Sequence, residues 1–277
     1  MAMPHMVMKH WDPMIGCDVH LAVAPTGPPI GPPGPYPYFT MQFLSGLLVF
    51  FTPLKSQRSL YGITVAKGSD IGGGIPHVGA PSADLPVTIL TSGSKNHFGA
   101  NNYQVDGKPV GLALLGAVNL NLNCGTPVPT PSGYVVCVNV HAGGMTFADY
   151  LGGFATMVAD FAIQSAFNHL GMRFGKLFDG KTGILGLVGN YGWTLLTFLV
   201  GTPLGPGLGN TNIFQDKDKS GWSPGGAAEG WVDNMAENVG RAMGDILDGE
   251  PPHLPKIPEI AKPDSKHLPK PSNLDLL

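Results

Sequence analysis

The chain has 277 residues, enough for one large or two small domains, and only 13% of them are charged, against roughly 25% in an ordinary soluble domain. A net charge of −3 without any long basic run excludes a nucleic-acid surface. Forty glycines and 27 prolines approach the level of low complexity, yet 43% hydrophobic content excludes a wholly disordered chain.

What remains is many short strands joined by tight turns, plus a hydrophobic part of another kind. So few charges give little electrostatic solubility, which favours a protein that works bound to a partner. The three cysteines, Cys17, Cys124 and Cys137, are too few and of the wrong parity for a disulfide framework. Residues 1–12 lack the continuous apolar stretch and the small-residue cleavage site of a signal peptide. Export is therefore expected to need a machine that takes folded cytoplasmic cargo.

In chain order, residues 12–144 read as turn-rich β structure. The tract 25–37 (PTGPPIGPPGPYP) is extended and polyproline-like, with no helix potential. The apolar run 43–54 is too short for a bilayer, which needs about 20 residues, and is expected to be a buried element. Strand-like segments follow at 61–67 (YGITVAK), 103–110 (YQVDGKPV) and 134–140 (YVVCVNV), β-branched and aromatic in flavour. Asp106-Gly107 is a strong hairpin signal.

After Gly144 the character changes. Residues 145–174 carry helical periodicity through Phe147, Tyr150, Leu151, Phe154, Met157, Val158, Phe161 and Phe167, interrupted by Asp149 and Asp160. Residues 182–214 hold no charge and are densest in apolar residues at 184–200, and the length of the uncharged stretch permits a transmembrane helix. Six glycines between 183 and 205, with Asn190 and Pro203, count against a span, and a helical hairpin buried against a partner is an equal alternative. Gly183, Gly186 and Gly189 would then share a side for close helix contact. Residues 227–247 form an amphipathic helix through Trp231, Met235, Val239, Met243 and Ile246. The proline- and lysine-rich stretch 249–277 is expected to be an extended or disordered tail.

Small β bodies with little core often need a metal clip. Cys17, His20, His77, His97, Cys124, Cys137 and His141 cluster in the β region, and a mixed His/Cys set suits zinc in a closed tetrahedral site. They form no tight CxxC-type pair, and a lone histidine is more often a surface or satisfied core residue. No GxSxG elbow, HExxH, P-loop or dinucleotide fingerprint is present, so no enzyme is expected.

The segment DPMIGCDVH at 12–20 resembles the DPMxGxDxH opening of the PAAR regions of Rhs-type polymorphic toxins. In the same order come the proline-rich stretch to Pro37-Tyr38, IPHVG at 75–79, the GS…V-DG-K-P pattern of 93–109, Leu122-Asn123-Cys124 and the proline turn 127–131. The resemblance covers residues 12–144.

It implies a mainly β, small conical PAAR-type domain at 1–144. An α-helical, partly hydrophobic extension at 145–248 and a disordered Pro-rich tail at 249–277 follow it. The implied role is a non-enzymatic tip that caps the trimeric spike, a VgrG-type protein, of type VI secretion and related contractile injection machines. Such a tip is made in the bacterial cytoplasm and delivered outside by the machine. Structural zinc would be held by His20, His77 and Cys124 at motif positions, with His97 as fourth ligand and His141 or Cys17 as alternatives. Relatives often place histidines in a PxPHP tract, whereas here it reads Pro35-Tyr36-Pro37-Tyr38. The extension would carry an effector or bind a chaperone; alternatively, residues 145–277 form a small membrane-inserting, pore-forming toxin.

Overall fold

The computed structural model describes residues 5–9, 12–20, 34–40, 58–59, 62–63, 67, 94–105, 108–115, 118–123, 130–136, 141–142, 144–200 and 224–252. His77, Cys124, Cys137, the apolar run 43–54 and most of the C-terminal tail lie outside them.

Among the described residues, strands precede Gly144 and helices follow it. The largest sheet is antiparallel with five strands: β2 (Met14–His20), β3 (Gly34–Thr40), β6 (Ser94–Asn96), β9 (Val118–Asn123) and β10 (Thr130–Val136), in the order β3-β2-β10-β9-β6. The extended PYPYF segment of β3 pairs residue for residue with β2, and Cys17 stands opposite Pro37. Proline has no N–H to give the ladder, which suits it to an edge strand such as β3.

β7 (Gly99–Val105) and β8 (Lys108–Gly111) close a hairpin around Asp106-Gly107, with Val105 opposite Lys108. The two-residue connection is the one that Asp-Gly favours. β4 (Arg58–Ser59) and β5 (Gly62–Ile63) form a smaller pair. β1 (His5–Met6) pairs with β11 (His141–Ala142), and the strand continues inward through a bridge between Val7 and Leu112. Met8 N–H donates to the Gly111 carbonyl (2.9 Å) and Ala113 N–H to the Met6 carbonyl (2.8 Å).

Three helices follow: α1 (Phe147–Lys176), α2 (Gly183–Val200) and α3 (Pro224–Leu247). Thr146 starts α1 with a capping box. Its hydroxyl accepts from Asp149 N–H (3.1 Å), and the Asp149 carboxylate accepts from Thr146 N–H (3.0 Å). The buried core joins both parts of the chain: Val7, Phe98, Ala100, Val110, Leu112 and Met145, ringed by Leu114, Leu120, Tyr150 and Met157. Phe98 meets Phe154 of α1 edge to face, ring centroids 5.1 Å apart. The Tyr150 hydroxyl lies 2.8 Å from His5 Nε2, tying α1 to β1 as well.

α1 and α3 pack antiparallel along glycine. A methyl group at Gly244 would sit 2.5 Å from the Ala148 Cα, and one at Gly240 would run into the Leu151 carbonyl oxygen. Gly240 and Gly244 of α3 therefore make a close small-xxx-small contact. Of the Gly183, Gly186 and Gly189 set expected on α2, Gly189 makes a close contact, with the end of α1, and Gly183 does not. Gly183 faces open space at φ +65°, whereas Gly189 packs on Phe178 at the turn.

Candidate functional site

The sheet register places one of the expected zinc ligands, His20, at the end of the five-stranded sheet where β9 also ends. β2 ends at His20, β9 ends at Asn123, and β3, β10 and β6 begin at Gly34, Thr130 and Ser94. His20 pairs with Gly34, Asn123 pairs with both Thr130 and Ser94, and Tyr134 pairs with Ile15, so all five termini share one end of the sheet. Only β10 separates β2 from β9 in the sheet. Cys124, the next residue in the sequence after Asn123, lies outside the described residues. Imidazole and thiolate are the donor chemistry that zinc takes.

The remaining candidates lie elsewhere or outside the described residues. His77 is outside them. His141 stands on β11 opposite Met6, in a different sheet. Cys17 is half-buried in mid-strand. His97 comes three residues after Ser94, about 10 Å down the sheet from that end.

His97 belongs to a second constellation, which sequence reasoning missed. β6 and the residue after it send Lys95 and His97 inward, and α1 and α3 bring Asp160 and Asp233 to meet them. His97 Nε2 lies 2.6 Å from Asp160 Oδ2. Lys95 Nζ lies 3.0 Å from the same oxygen and also bonds Asp233. Alongside, Lys67 Nζ and Asn101 Nδ2 each donate to Glu237 Oε1 at 2.8 Å, and Arg241 of α3 pairs with Asp149 of α1.

The electrostatics follow from burial. His97 is 2% exposed and Asp160 fully buried, so solvent and substrate cannot reach the pair, which acts as a structural tie. Burial, helped by the Lys95 ammonium, depresses His97 to about 3, so it is neutral at physiological pH. Burial raises Asp160 against the opposing pull of Lys95. Asp233 is pushed up to about 7 by burial, with Lys95 again opposing; 23% of its side chain is exposed, so water tempers that rise.

Together these contacts turn the helices inside out. In the usual amphipathic helix the apolar stripe faces the core and the charges face water. In α3 the charged row points inward, while Trp231 (48% exposed), Met235, Val239 (55%), Met243 and Ile246 (60%) point outward. α1 buries Asp149, Thr156 and Asp160 and exposes Val158, and α2 exposes Ile184 (82%). Asp149 and Asp160, which break the apolar pattern of α1, are the residues that dock it.

The missed signal is legible in retrospect. Glu229, Asp233, Glu237, Arg241 and Asp245 recur every fourth residue, out of phase by two with Trp231, Met235, Val239, Met243 and Leu247. Among the described residues no helix is long and apolar enough to cross a membrane, and no three or more His, Cys, Asp and Glu residues come together as a metal-binding group. No family model matches the chain, and neither a curated protein nor a solved structure matches it.

Proposed function

We propose that the chain is a non-enzymatic spike tip of the PAAR type, capping the trimeric spike of a bacterial contractile injection machine. One observation carries the reading. The motif strands that resemble the family, β2 with His20 and β9 leading into Cys124, run to the same end of one antiparallel sheet. A narrowing β tip cannot enclose an apolar core, so strands meeting there need a strong local crosslink. His20, Cys124 and His77 would hold zinc, whose binding contributes folding free energy directly.

The test is metal analysis of the purified full chain. Near-stoichiometric zinc is expected, lost in a His77→Ala/Cys124→Ala variant; a fully folded wild type without metal would reject the zinc-held tip. In assembly, one chain should cap one spike trimer, read by native mass measurement, and three chains per trimer would reject the cap.

A second reading draws on the outward apolar residues of α1 and α2: residues 145–277 insert into a target membrane. The eighteen residues of α2 extend about 27 Å, short of a hydrocarbon core of about 30 Å. Dye release from vesicles exposed to the full chain would favour this reading, and intact vesicles would reject it.

A further inference from the structure

We infer that the outward ridge of α3, Trp231-Met235-Val239-Met243-Leu247, docks in an apolar groove of a separate protein whose rim carries lysine or arginine. The inference stands on α3 and its anchoring alone and requires neither the tip nor zinc.

The ridge cannot be a misplaced core face. Rotating α3 to bury it would break Lys95–Asp233, Lys67–Glu237 and Arg241–Asp149 together and pull Gly240 and Gly244 off α1. The helix is fixed with its apolar side out, and a row of residues four apart is the kind of ridge that fits between the rows of a facing helix. Such an arrangement is recognised when an amphipathic helix lays its apolar face in a groove.

Charge selects the occupant. Residues 224–277 carry nine acids against Arg241 and four lysines. The helix with its first following residues holds six of those acids, Glu229, Asp233, Glu237, Asp245, Asp248 and Glu250, while all four lysines come later, in the tail. Arg241 is held by Asp149, and Asp233 and Glu237 point inward, while Asp248 and Glu250 are exposed at the end where Ile246 and Leu247 finish the ridge. A helix that settles on a bilayer surface instead flanks its apolar face with lysine and arginine, because membrane surfaces are anionic. A second copy would bring two acid-rimmed ridges together. A protein groove with a basic rim satisfies both the apolar ridge and its acidic end.

The probes are a synthetic Leu/Lys amphipathic helical peptide, a Leu/Glu peptide with the same apolar face, and phosphatidylcholine–phosphatidylglycerol vesicles. Each is titrated against the full chain and against a Met235→Ser/Val239→Ser/Met243→Ser variant. The Leu/Lys peptide should bind the wild type, shift the Trp231 emission to the blue (a shift absent in Trp231→Phe), and bind the serine variant about tenfold or more weakly. Because the replaced side chains are exposed, the variant should keep its circular dichroism and thermal midpoint. Equal peptide binding by the serine variant would overturn the inference, as would equal binding of the Leu/Glu peptide. Ridge-dependent binding to vesicles would assign the surface to lipid, and ridge-dependent self-association in sedimentation would assign it to a second copy; either overturns it.

Discussion

Lys95 holds two carboxylates, Asp160 and Asp233, that would otherwise face each other inside the protein. Lys95→Met should leave them uncompensated and cost about 3–5 kcal/mol in denaturant unfolding, the usual penalty for removing one partner of a buried ion pair. The proton balance of the cluster is more distinctive. His97 is depressed from 6.5 to about 3, so its contribution to stability is present above 6.5 and is lost as pH falls toward 3. Asp233 is raised from 3.8 to about 7, so its contribution is present below 3.8 and is lost as pH rises through 7. Asp160, also raised, adds to the Asp233 side. Between pH 3.8 and 6.5 the slopes oppose, because folding takes a proton from the imidazole while the carboxylate side takes protons up. The thermal midpoint of the wild type should therefore vary less over that window than that of either variant. Asp233→Asn should lose stability on acidification and His97→Gln should lose it as pH rises. Two variants as flat as the wild type would show that neither group titrates as described.

At the scale of elements, α3 depends on glycine where it crosses α1. Gly240→Val should force the helices apart at the Leu151 carbonyl and cost about 1–3 kcal/mol or more, with the largest loss of hydrogen-exchange protection in α3. Equal protection in the variant would mean that the crossing relaxes freely. Much of this layer is legible in the sequence. Hydrophobic periodicity predicts helices at 145–174 and 227–247, and α1 and α3 run Phe147–Lys176 and Pro224–Leu247. Asp106-Gly107 marks the β7–β8 hairpin. Periodicity detects a stripe but carries no sign for in or out, so the inversion of α3 appears only once Lys67 and Lys95 are set against its charged row. The partnership of His97 with Asp160, 63 residues on, has no local signature at all. The meeting of β2 and β9 at one sheet end likewise depends on strand register, which motif spacing does not encode.

At the scale of the whole molecule, the change of character at Gly144 is a change of secondary structure across which the core continues. Removing residues 145–277 would strip Met145, Tyr150 and Met157 from Phe98 and Val110 and leave Lys95 and His97 without their carboxylates. The truncated chain is expected to aggregate on purification; a monodisperse product with native far-UV dichroism would show that the β part stands alone. The entry of the first strand into this core sets the order of events in folding. Met6 pairs with His141, 135 positions later, and Val7 with Leu112. Contacts between such distant positions must pay the entropy of closing long loops before they return anything, and they slow folding. On the ribosome, at about 5–20 residues per second, β1 waits roughly 7–27 s for the synthesis of its partner. A helical signal should therefore return early in refolding, and the environment of Tyr150, which closes over His5, should return in a later phase. Of the described strands, the one made first is among the last to find its neighbours.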